Sequence, residues 1–152
     1  VRPGSRIGID VGTARIGVAR SDFHGILATP VETVSRGPGD VERIAEIVAE
    51  VGAVELIVGL PLALSGRPTA STGDARDFAV RLTELGIPVR MVDERLSTVA
   101  AQAALHDTGK TARTSRAMID QVAAAIILQH ALDIERSTDK PPGVVVDTEQ
   151  GH

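Results

Sequence analysis

Apolar and polar positions alternate in blocks that read as short strands and amphipathic helices. In "RIGIDVGTARIGVARSD", residues 6–22, the runs Ile7-Gly8-Ile9 and Ile16-Gly17-Val18-Ala19 flank a polar stretch from Asp10 to Arg15. Both runs predict strands joined by a tight turn. "GILATPVETVSRG" adds a third strand around Pro30 to Val34, with Pro30 suited to a strand beginning or edge. In "DVERIAEIVAEVG", Val41, Ile44, Ile47, Val48 and Val51 recur at helical spacing, with Asp40 as N-cap and Gly52 at the end. "VELIVGLP" is a continuous apolar run of strand length, the pattern of a strand covered on both faces.

The Gly-, Pro- and Ser-rich "PLALSGRPTAST" reads as a mobile loop, a candidate flap carrying Gly66 and Arg67. "GDARDFAVRLTELG" places Ala75, Phe78, Ala79, Leu82 and Leu85 on one helix side, and "VRMVDE" is a further strand. "STVAAQAALHDTG" predicts a helix ending at Gly109, and the basic "GKTARTSR" leads into a last helix, "SRAMIDQVAAAIILQHALD". On a wheel at about 100° per residue, Ile119, Val122, Ala123 and Ile126 form its expected buried stripe, with Asp120 at the flank. The order βββαβαβα(α) is α/β, a mixed sheet opening with a meander. Ligands of such sheets gather at the carboxyl ends of strands. Residues 1–134 are expected to form one domain and residues 135–152 a disordered acidic tail.

Composition narrows the function classes. With 43% apolar and 24% charged residues, the 152-residue chain has an ordinary globular balance. No apolar run reaches the roughly 18 residues of a membrane span, and no signal-peptide core opens the chain, so a cytoplasmic location is the expectation. The absence of cysteine excludes thiol catalysis and Cys-based zinc sites. Net charge is −4, of which residues 133–152 carry −3, so local basic patches are compatible with the remainder. Phe23 and Phe78 are the only aromatics. A nucleic acid would therefore be read through backbone and shape rather than by base stacking.

Three acids occupy comparable places. Asp10 ends the first strand, Asp93-Glu94 end "VRMVD", and Asp120 lies in the last helix past its first turn. Each alone has a plain structural reading: Asp10 as a turn residue, Glu94 paired with Arg90 or Arg95, Asp120 with Arg116. Together they form an oxygen-only donor set that suits hard cations such as Mg²⁺ or Mn²⁺. Phosphodiester hydrolysis is the chemistry that uses such a set. Lys110, Arg113 and Arg116 precede or adjoin Asp120 and, with Arg67, are candidate phosphate contacts. Asp93, Arg15 and Arg95 are candidate supporting residues. His24, His106, His130 and His152 are each isolated and read as surface residues.

"GIDVGTARIGVARSD", "VGLPLALSG", "VDERLSTVAAQ" and "IDQVAAAIILQ" resemble, in order and spacing, the motifs of the YqgF/RuvX family over residues 6 to 132. The resemblance implies an RNase H-like fold related to the RuvC resolvase. It implies a nuclease, with 5′-end maturation of pre-16S rRNA as its task or, alternatively, Holliday junction resolution as a dimer. It places the acidic site on Asp10, Glu94 and Asp120, with one or two Mg²⁺ or Mn²⁺ ions and structured RNA or branched DNA as partner. Asp10-Val11-Gly12-Thr13 also resembles the first phosphate loop of the actin, hexokinase and Hsp70 ATPases. Those enzymes clamp nucleotide between two copies of the fold, and this chain has one, so no nucleotide cofactor is expected. A nuclease fold used only for binding is the remaining alternative.

Overall fold

The structure is a computed structural model that describes residues 2–94 and 115–146, the side chains of 115–117 excepted. Strands β1 (Arg6–Val11), β2 (Arg15–Ser21) and β3 (Ala28–Ser35) form an antiparallel meander, followed by helix α1 (Asp40–Val51) and strand β4 (Glu55–Leu60). Helix α2 (Ala70–Leu82) runs into a 3₁₀ turn at Thr83–Leu85, then come β5 (Val89–Asp93), helix α3 (Ser115–Thr138) and the short strand β6 (Val144–Val145). The sheet order is β3-β2-β1-β4-β5-β6. β4 runs parallel to β1 and β5, so three strands deliver their carboxyl ends to one edge of the molecule. The helix expected over 97–109 lies outside the described residues.

The period-2 alternation of the strands explains the layering. Ile7, Ile9, Ile16, Val18, Leu56 and Val58 point to one face and pack with Ile44 and Ile47 of α1 and Phe78 and Leu82 of α2. On the other face Ala19, Ile57 and Val92 meet Ala124, Ile127, Leu128, Ala131 and Leu132 of α3. That face carries several small residues, Gly8, Gly17, Ala19 and Gly59 among them, so α3 can lie close to the strands. A Cβ on Gly17 would come within 1.9 Å of the Asp120 carbonyl oxygen. Pro30 sits where expected, on the edge strand β3 beside a register shift at Val18/Ala19.

Four expectations are corrected. The buried side of α3 runs through Ala124, Ile127, Leu128, Ala131 and Glu135, whereas Ile119 is 39% exposed. Both sides of this helix are apolar, so hydrophobicity alone did not choose the one that faces the sheet. Helix α2 begins at Ala70, inside the stretch read as loop, because Thr69 and Thr72 form a reciprocal capping box. Asp40 is the first helical residue rather than the N-cap, and its carboxylate accepts from the Gly37 and Val41 amides.

Residues 135–146 are not a disordered tail: α3 continues to Thr138, and Val144 and Val145 pair with Met91 and Arg90. Glu135 is buried in an ion cluster at the end of the sheet away from the strand carboxyl ends. Arg2 Nη2 reaches Glu135 Oε1 at 2.9 Å and Glu55 Oε1 at 3.0 Å, and Arg90 Nε reaches Glu55 Oε2 at 2.8 Å. Arg6, also buried, lies 3.7 Å from Glu135 and 3.6 Å from Glu55. These partners are far apart in sequence, which is why the acid excess alone read as a solvated tail. Residues 147–152 lie outside the described residues.

The arginine hydrogen bonds hold the Glu135 carboxyl down to about 2. Its stabilisation is therefore complete above the unfolded value near 4.5 and is lost as pH falls toward 2. Glu135→Gln is expected to cost on the order of 2 kcal/mol near neutral pH. Thermal unfolding followed from pH 7 down to pH 2 should show the gap to the wild type closing below about pH 4.5.

Candidate active site

Asp10 lies near the carboxyl end of β1, opposite Gly17 of β2 and one step beyond the Ile9–Val58 pair, beside Gly59 of β4. Its side chain alternates away from Ile9 and so faces the α3 side. Gly17 and Gly59 thus flank Asp10 in one row across the sheet. Glu94 follows β5, where its amide donates to the Leu60 carbonyl at 3.3 Å and so extends the ladder by one bond. A Cβ on Gly59 would meet Glu94 Oε2 at 2.3 Å and Ile127 Cδ1 at 2.8 Å. The missing side chain is the space that the Glu94 carboxylate occupies. Asp120 hangs from the second turn of α3, whose backbone rests on Gly17.

The three acids feel one another. Burial, reinforced by the Asp120 charge, pushes the Asp10 carboxyl up to about 6. Burial again, with the charges of Asp10 and Asp93, raises Glu94 to about 7. Glu94 Oε2 is buried with no hydrogen-bond partner, an uncompensated acceptor of the kind native structures rarely leave. Asp120 is engaged: Arg15 Nε donates to its Oδ2 at 2.6 Å. As the side chains stand, no group of three or more His, Asp or Glu among the described residues is gathered closely enough to hold an ion. The donor chemistry nevertheless fits a hard cation. Asp10 and Glu94 are desolvated, mutually repelling carboxylates, and one oxygen is orphaned; a divalent ion relieves all three conditions.

The family described as RuvX, Holliday junction resolvase, matches residues 4–134. The chain belongs to the RuvX family. Among its relatives, a protein of Leifsonia xyli named "Putative pre-16S rRNA nuclease" is 62% identical over 99% of each chain. One of the same name from Clavibacter sepedonicus is 61% identical over 96% of this chain and 93% of its own. The solved structure of T. thermophilus RuvC in complex with a Holliday junction substrate superposes with a TM-score of 0.58, at 20% identity, covering 91% of this chain and 99% of that one. At that identity the likeness establishes the fold alone, the RNase H-like fold shared with RuvC.

Sequence reasoning named the three acids and also Arg15, which the fold brings onto Asp120. Asp93 is exposed beside Glu94 and acts on it through its charge. Arg67 is exposed on the β4–α2 loop, which is ordered by a bridge between Leu62 and Pro68. Arg95, Lys110 and Arg113 lie outside the described residues, and Arg116 is in the first turn of α3 without a described side chain. Gly17 and Gly59, which give α3 and Glu94 their room, were missed. The signal was present: both interrupt otherwise bulky strands at positions that alternate onto one face.

Because Asp10 titrates higher in the folded chain than unfolded, its charge is a cost that grows above about pH 4 and is complete above about pH 6. Asp10→Asn is accordingly expected to raise the melting temperature by roughly 2–5 °C at pH 7.5 in a chelator. The gain should vanish near pH 4. Differential scanning calorimetry at the two pH values checks it.

Proposed function

We propose that the chain is a nuclease that hydrolyses phosphodiester bonds, with Asp10, Glu94 and Asp120 holding one or two Mg²⁺ or Mn²⁺ ions. The observation that carries this reading is the glycine-lined recess in which Asp10 and Glu94 are desolvated, with Glu94 Oε2 buried and unpartnered. Bound there, a divalent ion supplies Lewis acidity toward a phosphate and an activated water at neutral pH. The chain's own residues do the rest. Asp10 and Glu94 offer charge that burial has left uncompensated, so a cation carrying a phosphate is drawn into the recess. Arg15 holds the Asp120 carboxylate through Nε, and its side chain stays partly exposed. That group can meet a phosphate as a planar, permanently charged donor.

Exposed Arg67, with Lys110, Arg113 and Arg116, would bring the backbone of the substrate to this edge and make binding salt-dependent. Arg95, next to Glu94 in sequence, and Asp93 would support the acid. The names of the relatives favour pre-16S rRNA as substrate, and maturation of its 5′ end is the task we assign. The family description favours a second reading, a four-way DNA junction. Two symmetric nicks would then require a two-fold dimer. No helix among the described residues is long and apolar enough to cross a membrane, and work on rRNA would place the protein in the cytoplasm.

The test is a cleavage assay in Mg²⁺ or Mn²⁺ offering a 5′-extended 16S rRNA precursor, a synthetic four-way junction and linear duplex. Cutting of one substrate, lowered about 100-fold or more by Asp10→Asn, is the expected result and identifies the target. Salt-sensitive binding without cutting would instead identify a binding protein.

A further inference from the structure

Arg36 stands outside the acidic recess yet is tied to it by an unbroken series of contacts. Its Nη1 donates to the Gly12 carbonyl at 2.7 Å, and its own amide donates to the Ala14 carbonyl at 3.0 Å. Both acceptors belong to the turn between β1 and β2. The same guanidinium is gripped by Asp74 of α2 through two bonds, Nη1–Oδ2 at 2.9 Å and Nη2–Oδ1 at 3.1 Å. It also lies 5.2 Å from the centre of the Phe78 ring, and Asp40 stands 3.9 Å from its Nε. Within the turn the Gly12 amide donates to the Arg15 carbonyl at 2.8 Å, and Arg15 then reaches Asp120. Asp74 therefore connects to Asp120 through Arg36, Gly12 and Arg15, linking α2 to α3 by way of the β1–β2 turn.

We infer that Arg36 and Asp74 form a positioning clamp that fixes the Asp10–Arg15 turn, and through it the guanidinium of Arg15 over the acidic site. The bidentate pair has one orientation, which a lysine could not reproduce. A turn of this kind, tipped with Thr13 and Ala14 exposed, has little packing of its own to hold it. α2 is a suitable anchor, because the Thr72 hydroxyl at its start donates to the carbonyl of Pro61, the residue after β4. One helix start thus braces two of the loops that surround the recess. The inference rests on the nuclease reading above.

The experiment compares wild type, Arg36→Gln, Arg36→Lys, Asp74→Asn, Arg15→Ala and the Arg15→Ala/Arg36→Gln double variant on the substrate that wild type cuts. The expected result is a kcat about 10-fold lower for Arg36→Gln and Arg36→Lys, with KM changed less than about twofold. In the Arg15→Ala background, Arg36→Gln should lower kcat by less than about twofold, since both changes act through one group. Amide exchange at Gly12 should quicken in Arg36→Gln. Full loss in both backgrounds would show a general structural effect and overturn the clamp, as would unchanged kcat in folded variants. If Arg36→Gln does not fold, Asp74→Asn in the two backgrounds decides the same question. Absence of cutting by wild type itself would remove the nuclease reading and the clamp with it, whereas a cutting wild type with indifferent variants removes the clamp alone.

Discussion

The contact on which the rest depends is the close seating of α3 on the sheet at Gly17. A Cβ there would come within 1.9 Å of the Asp120 carbonyl, so at this point the helix can approach only because the strand residue has no side chain. That distance places Asp120 over the β1–β2 edge, within reach of Arg15, and leaves the recess between Gly17 and Gly59 for the acids. Interiors are packed to crystal-like density, so such a clearance is a structural commitment rather than slack. The two faces of the sheet express the same division: large branched residues on the α1–α2 side carry the core, and small residues on the α3 side admit chemistry.

Helix α3 carries a carboxylate at each end of its sheet-facing side, about 22 Å apart at 1.5 Å per residue, in opposite electrostatic conditions. Glu135 meets Arg2 and Arg6 and is held well below its ordinary range. At the other end Asp120 has Arg15, while Asp10 and Glu94 are pushed upward by burial and by the charges of neighbouring carboxylates. Charge compensation at one end makes stability; its shortfall at the other leaves the buried carboxylates for which a cation is proposed. The folded chain tolerates that shortfall because core packing and the distal ion cluster stabilise the same sheet and helix.

The Arg36–Asp74 pair belongs to a third layer of organisation. It holds neither the core nor a reacting group but the geometry of the turn that joins Asp10 to Arg15. Loop residues at functional sites are commonly precise only where a rigid element braces them, and here α2 supplies the brace.

Local patterning determined much of this protein. Strand alternation, the apolar period of α1, Gly52 at its end and the three acids after or beside apolar runs were all legible, since each depends on neighbours in sequence. So was the family, carried by four motifs in order. Tertiary structure alone decided which side of α3 is buried, because both sides are apolar and only the small-residue face of the sheet selects between them. It decided too that Glu135 and Val144-Val145 are ordered, since their partners Arg2, Arg6, Arg90 and Met91 are distant in the chain. The Asp10 row of glycines and the Arg36 tether have the same origin: register and crossing distances are set by packing between elements, which no local pattern encodes.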